Sequence, residues 1–190
     1  MTVFLTSDQH FCHANILRFL RDDGSNLRTF DNVTAMDEFM VERWNSVVGK
    51  NDKVYHLGDV LLGGRSQMSI LSRLNGKKIL IKGNHDRFEL NVYAKYFKDV
   101  RAYHKLDKFV LSHIPAHPNS VKYVNVHGHL HYQLVNKIGT QTPDPRYYSV
   151  CVELHNYTPV ALDEIMQYYS KFDLNVFKEQ YMRENNLLPK

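Results

Sequence analysis

Apolar residues along the chain alternate between short β-like runs and longer stretches at helical spacing. Thr2 to Thr6 is apolar and β-prone and ends at a polar cluster, Ser7-Asp8-Gln9-His10. His13 to Leu20 has the spacing of a short helix and gives way to a polar loop around Asp22-Asp23-Gly24-Ser25-Asn26. Thr34-Ala35-Met36-Asp37 has the form of a capping box, weakened by Asp where Glu is usual. Met36, Met40, Trp44 and Val47 then recur at helical spacing and predict a helix to about Val48, its Met and aromatic stripe being core packing. Lys53 to Leu57 is a second strand closed by Gly58-Asp59. Ile70, Leu71 and Leu74 mark a helix, and Lys77 to Lys82 is a third strand running into Gly83-Asn84-His85-Asp86. Leu90, Tyr93, Ala94 and Phe97 form another helical face. Strand-helix alternation of this kind favours a parallel sheet with right-handed crossovers.

The second half changes character. Val100 to His104, Phe109 to Ser112, Tyr123 to Val126 and Tyr148 to Leu154 are short β-like runs separated by turns, which predicts a second, mixed or antiparallel sheet. Gly139 to Arg146, with Pro143 and Pro145, is the most loop-like stretch. Helices around Leu162-Ile165-Met166-Tyr169 and Leu174-Phe177-Tyr181 close the chain. With 190 residues and no repeat, low-complexity tract or linker, the expectation is one domain over residues 1–190.

Composition narrows the class. Hydrophobic content of 43% and charged content of 23% belong to an ordinary globular protein. No apolar run approaches the roughly 18 residues of a membrane span, and the first residues read as a strand rather than a signal peptide. Cys12 and Cys151 form no paired spacing, so a reducing, cytoplasmic setting without disulfides is expected. The net charge of +4 suits an anionic substrate without demanding nucleic acid. The unusual feature is histidine, 11 in all. Histidine is the commonest metal ligand and the usual acid or base near neutral pH.

Chemistry gathers where the predicted strands end. The clusters are Asp8-x-His10, Gly58-Asp59, Gly83-Asn84-His85-Asp86, His113 and Gly128-His129-x-His131. Any one of them is also an ordinary polar turn, and Gly58, Gly83 and Gly128 are also ordinary turn glycines. Five in succession at strand ends, each glycine immediately before a candidate ligand, favour a site. His56 and His127 lie within apolar strands and are read as core or supporting residues, and His104 and His155 carry no pattern.

Taken in order, the five clusters resemble the signature of the calcineurin-like metallophosphoesterase superfamily, and His10-Phe11-Cys12-His13-Ala14-Asn15-Ile16 is similar to its small bacterial and phage members. The resemblance implies an α/β fold, a four-layer αββα sandwich of two mixed sheets flanked by helices, with a dinuclear metal centre at the strand ends. By position it puts Asp8, His10, Asp59 and His131 on one metal and Asp59, Asn84, His113 and His129 on the other, Asp59 bridging. It makes His85 the proton donor and Asp86 the group that orients it. For His85 a ligand or a structural role stays open. The implied cofactors are two divalent transition-metal ions, Mn²⁺ first and Fe, Zn²⁺, Ni²⁺ or Co²⁺ after it, because mixed nitrogen and oxygen ligands suit these better than Ca²⁺ or Mg²⁺. Two such ions against two carboxylates and a hydroxide leave a positive centre for phosphate, and a neutral Asn84 preserves that excess. His13, in a segment expected to rim the site, is a candidate substrate contact. So are Arg28, Arg65 and Arg87, since the guanidinium fork matches phosphate oxygens.

The expected activity is hydrolysis of phosphate esters, with nucleotide or nucleic-acid phosphodiesters ahead of phosphoproteins. A nuclease is the first rival; it needs a basic track, for which Lys77, Lys78, Lys82, Lys95, Lys98, Arg101, Lys105 and Lys108 are candidates. A phosphomonoesterase is a second, and a non-enzymatic binding module on the same fold a third.

Overall fold

Four parallel strands form the core of the first sheet. In the computed structural model, which describes residues 1–187, these are β1 (Val3–Thr6), β2 (Lys53–His56), β3 (Lys77–Ile81) and β4 (Asp99–Arg101). A fifth, β9 (Val160–Ala161), joins antiparallel at the β1 edge, giving the order β4-β3-β2-β1-β9. The second sheet has the order β5-β6-β7-β8, built from His104–Leu106, Phe109–Leu111, Val124–His127 and Tyr147–Ser149. Its β5 and β6 pair antiparallel and the rest parallel, so both sheets are mixed. The helices are α1 (Val33–Val47), α2 (Leu90–Tyr93), α3 (Leu162–Tyr169) and α4 (Leu174–Glu184).

Two-residue periodicity divides each strand of the first sheet between two cores. Phe4, Val54 and Leu80 face outward onto Met36, Met40 and Trp44 of α1. Leu5, Tyr55 and Ile81 face inward and meet Phe109, Leu111, Val124 and Val126 of the second sheet, with Ile165, Tyr169 and Phe177 of α3 and α4 in the same cluster. The result is the expected four-layer α/β sandwich of two mixed sheets flanked by helices. Loops share its outer layers: buried Asn125, on β7, accepts from the Ala116 N–H of the loop that covers it. No helix among the described residues is long and apolar enough to cross a membrane.

Several local expectations are revised. The run Val100 to His104 is not a strand of the second sheet. Its first part is β4, parallel to β3, and β5 begins only at His104. His13 to Leu20 makes a short 3₁₀ turn, Ala14–Arg18, and the Ile70 region is likewise 3₁₀, Arg65–Arg73. Tyr148 to Leu154 stays extended only to Ser149 and then turns 3₁₀ at Val152–Leu154. The cap of α1 is Asn32, whose side chain accepts from Ala35 N–H, so there is no box at Thr34. Asp37 instead points inward and takes the Cys12 N–H at 3.1 Å. Val47 is 40% exposed, and Val48 takes the buried place at the helix end.

Leu5 has no exposed surface, whereas Val47 lies at the rim. Leu5→Ala is expected to lower unfolding stability by about 2–5 kcal/mol through lost burial and a cavity. Val47→Ala should stay within about 0.5 kcal/mol. Denaturant titration of both variants reads the difference.

Candidate metal centre

All five clusters arrive at one edge of the sandwich, because β1, β2, β3, β6 and β7 all present their C-terminal ends there, the usual place for a site in an open α/β sheet. Beyond β1 the chain runs beside the segment beyond β2, with Asp8 N–H on the Gly58 carbonyl and His10 N–H on the Asp59 carbonyl, both at 3.0 Å. Asp8, His10, Asp59, His129 and His131 all have left-handed backbone, with φ between 51° and 74°. Such residues cost on the order of 1–3 kcal/mol each and collect at functional sites. The glycines permit close approach. A Cβ on Gly58, itself at φ +95°, would stand 2.6 Å from both Gly83 N and His113 Nδ1, and one on Gly128 would stand 2.5 Å from Asp8 Oδ2. These are not interchangeable turn glycines.

Two groups of side chains result, Asp8 with His10 and His131, and Asp59 with His113 and His129. In each, one ligand atom per residue lies within 4.8 Å of the others. Asp59 stands between them. Its Oδ1 accepts from His85 N–H at 2.8 Å, while Oδ2 lies 3.6 Å from His10 Nε2 and 3.4 Å from His113 Nε2. Several of the inner atoms lack any hydrogen-bond partner. Asp8 Oδ1 and both nitrogens of His10 are buried with no hydrogen-bond partner. His113 gives its Nδ1–H to the Leu57 carbonyl at 2.7 Å, and its Nε2 stands 2.8 Å from the Asn84 Oδ1. Buried polar groups left in this state are costly in any protein. A cation among them resolves the arrangement, so the residues present fit divalent metal.

The groups are also coupled electrostatically. Burial alone would raise the Asp8 carboxyl, but the imidazoles of His10, His113 and His131 outweigh it and hold it far below the ordinary carboxylate range. Burial pushes His10 down, keeping its ring neutral, as a ligand must be. His113 and His131 move up despite burial, the first through Asp59 and Asp8, the second chiefly through Glu153.

Glu153 escaped the sequence reading. It follows β8, its side chain is fully buried, and its Oε1 takes His131 Nδ1 at 2.9 Å. That contact leaves His131 Nε2 free to face a metal, the carboxylate–histidine arrangement common around metal sites. The signal available was a carboxylate inside the apolar run Val150-Cys151-Val152-Glu153-Leu154, since a buried charge needs a partner. The partner is Arg28, bonded to Glu153 Oε1 at 2.7 and 2.9 Å. Arg28 is 1% exposed and also donates to the carbonyls of Asp8 and Gln9. It is therefore unavailable to substrate, and the expectation of a phosphate contact there is corrected. Its charge is spent on Glu153 and on fixing the Asp8 loop.

Asp86 is corrected as well. Its carboxylate accepts from three backbone N–H groups, Asp59 (2.9 Å) and Gly83 (2.8 Å) on Oδ2 and Val60 (3.0 Å) on Oδ1. It ties the loops after β2 and β3 together and does not hold the His85 ring. His85 is positioned by its own N–H on Asp59, and its Nδ1 is buried without a partner, its ring 5.7 Å from that of His10. His13 stands 5.4 Å from the His10 ring, and burial with the nearby His10 and Arg28 pushes its pKa down to about 4. Arg65 is exposed and 3.6 Å from Glu89, outside both groups, and Arg87 is exposed on the turn after Asp86. The basic track is broken: Lys78 is buried with Nζ on the Leu74 carbonyl (2.7 Å), and Arg101 is held by Asp99 (2.6 Å). His56 packs against Trp44 and Phe97, His127 bonds the Gly128 carbonyl, and His155 the Ser149 carbonyl, all structural positions. Cys12 and Cys151 are free thiols.

Fold and site together define an α/β sandwich that gathers two candidate metal-binding groups at its strand ends. The chain belongs to the calcineurin-like phosphoesterase family, whose sequence model matches residues 1–180. It is 33% identical over 174 residues to an uncharacterized protein of Methanocaldococcus jannaschii, covering 89% of this chain and 92% of that one. It is 37% identical over 87 residues to the gene 66 protein of Mycobacterium phage L5, across 44% of this chain and 39% of the phage protein. A solved structure of a protein of unknown function from Aquifex aeolicus superposes with a TM-score of 0.65 at 24% identity, covering 88% of this chain and 98% of that one, and shares the fold.

Two substitutions separate these supporting roles. Asp86→Asn should cost about 1–3 kcal/mol of stability by facing an amide N–H against backbone donors, read by thermal and denaturant unfolding; an unchanged melting curve would contradict the loop-tying role. Glu153→Gln should weaken Mn²⁺ binding about 10–100-fold in calorimetric titration and lower stability by leaving Arg28 unpaired.

Proposed function

We propose that this chain is one metallophosphoesterase domain of the cytoplasm that hydrolyses phosphate esters, with phosphodiesters of nucleotides or nucleic acid as its substrates. The observation that carries the reading is the convergence of two groups of ligand-type side chains on Asp59, whose Oδ2 lies 3.6 Å from His10 Nε2 and 3.4 Å from His113 Nε2. In this reading Asp8, His10 and His131 hold one divalent transition-metal ion, Asn84, His113 and His129 hold a second, and Asp59 faces both. Mn²⁺ stands first among the candidate metals, ahead of Fe, Zn²⁺, Ni²⁺ and Co²⁺. Two such ions, when bound, would supply positive charge against phosphate oxygens and would lower the pKa of water so that hydroxide is available as nucleophile.

The chain's own residues account for the rest of an in-line displacement at phosphorus. Glu153 and Arg28 fix the direction of the His131 ring, and Asp86 fixes the loops that carry Asp59 and Asn84. His85, with Nδ1 unpartnered and its backbone anchored on Asp59, is positioned to give a proton to the departing oxygen as the P–O bond breaks. His13 lies beside it as a neutral ring able to donate a hydrogen bond to a phosphate oxygen. The break in the basic track at Lys78 and Arg101 favours a short nucleotide ester over a long nucleic acid.

Protein stripped of metal and reloaded separately with Mn²⁺, Ni²⁺, Zn²⁺ or Mg²⁺ should hydrolyse bis-nitrophenyl phosphate faster than the monoester, with Mn²⁺ most effective and a chelator abolishing turnover. Absence of activity with every metal sinks the enzyme reading, and monoester preference or rapid cleavage of single-stranded DNA would move it to a phosphatase or a nuclease. His85→Gln should lower kcat by about 10²–10⁴ with metal content intact; loss of metal would make His85 a ligand.

A further inference from the structure

Beside the metal-ligand groups the surface opens into a cleft of about 400 Å³, with His129 and His131 at its inner end. One wall is a short hairpin from Phe19 to Leu27, closed by the Leu27 N–H on the Phe19 carbonyl (2.7 Å) and by antiparallel pairing of Leu20 with Asn26. The other is the turn carrying Leu130, Tyr132 and Gln133, fixed by the Gln133 N–H on the Leu130 carbonyl (2.9 Å). The two walls are tied to each other. Asp22 N–H donates to the Tyr132 hydroxyl at 3.0 Å, and the Arg21 guanidinium lies 5.3 Å from the Tyr132 ring centre. The cleft is thus held open by bonds that a ligand need not make.

Its lining differs in kind from the site it joins. Phe19 and Leu20 are 46% and 59% exposed, and Leu27 is buried between the walls. Scattered exposed apolar residues are ordinary. These are contiguous, however, and they lead into a site otherwise made of carboxylates and imidazoles. The Phe19 and His13 rings meet at right angles with centroids 5.7 Å apart, and His13 meets His10 at 5.4 Å, so the apolar wall and the ligand group are continuous. Gln133 adds an exposed amide whose Nε2 has only long contacts, 3.4 Å to Asp22 and 3.5 Å to the Tyr132 hydroxyl.

We infer that this cleft receives the nucleobase of a nucleotidyl ester whose phosphate lies at the metal-ligand groups. A flat heterocycle needs an apolar face to stack on and a donor or acceptor at its edge, and the cleft offers exposed Phe19 beside Leu20 for the first and Gln133 for the second. The volume suits a group of nucleoside size. An acyl chain would find a polar amide in its way, and a bare sugar would find too few hydrogen-bonding groups. The inference rests on the phosphoesterase reading for the place of the phosphate, and on the cleft alone for the base.

Two esters with the same leaving group test it. Thymidine 5′-(p-nitrophenyl phosphate) and methyl p-nitrophenyl phosphate differ only in the nucleoside. Base stacking on an aromatic ring is worth about 1–3 kcal/mol, so the thymidine ester should show a kcat/KM about tenfold or more above the methyl ester. Phe19→Ala, and separately Leu20→Ser, should shrink that ratio to about threefold or less. Equal rates on the two esters in the unaltered protein overturn the inference while leaving phosphoester hydrolysis standing. Calorimetric titration of the Mn²⁺-loaded protein gives a readout independent of turnover: thymidine 5′-monophosphate should bind about tenfold tighter than 2-deoxyribose 5-phosphate, and Phe19→Ala should remove the advantage. If neither ester is hydrolysed and that advantage persists, the base cleft holds and the hydrolase reading falls. If the advantage is missing, the cleft inference falls.

Discussion

Carboxylates and imidazoles crowd at the strand ends of this protein, several of their atoms buried without a partner. Asp8 Oδ1 and both nitrogens of His10 are sealed from water without a partner, and Asp59 Oδ2 faces imidazole nitrogens at 3.4 and 3.6 Å, beyond hydrogen-bond reach or at its limit. Groups buried in this way lose their hydration, a penalty that grows as the surroundings become less polar. The rest of the local structure answers to that constraint. The left-handed turns at Asp8, His10, Asp59, His129 and His131 aim the side chains inward, and Gly58 and Gly128 let neighbouring loops come close enough to complete each group.

Holding this arrangement requires a second set of charges that never reach the surface. Asp86 absorbs three backbone N–H groups from two loops, and the Arg28–Glu153 pair locks the His131 ring to the loop after β1. A buried ion pair contributes little net stability by itself, because desolvation offsets the attraction. Its value here is orientation. The site is pre-organised by bonds that lie outside the reacting region, which is what allows strained backbone and unpaired acceptors to persist in one conformation.

Much of the candidate centre was legible in the sequence because the residues that gather there are local. They lie where apolar β-runs end, so Asp8, His10, Asp59, His113, His129 and His131, which the structure brings into two groups, could be picked out as candidates. The supporting residues were not legible in the same way. Arg28 and Glu153 are 125 positions apart, and nothing near either indicates its partner. Asp86 sits beside His85, and adjacency suggested that one orients the other. Backbone amides of Asp59 and Val60, brought over by the pairing of β2 with β3, took the carboxylate instead.

The sequence by itself determined the order of the main strands and helices and the kinds of polar side chain delivered to the strand ends. Those follow from side-chain periodicity and from what immediately succeeds an apolar run. Only the tertiary structure decided which charges are spent internally and which stay free. That choice moved Arg28 and Lys78 from the surface to the interior, split Val100 to His104 between two sheets, and left Phe19 and Leu20 bare beside the metal-ligand groups. Partner selection of this kind depends on contacts between distant segments, and no local pattern encodes it.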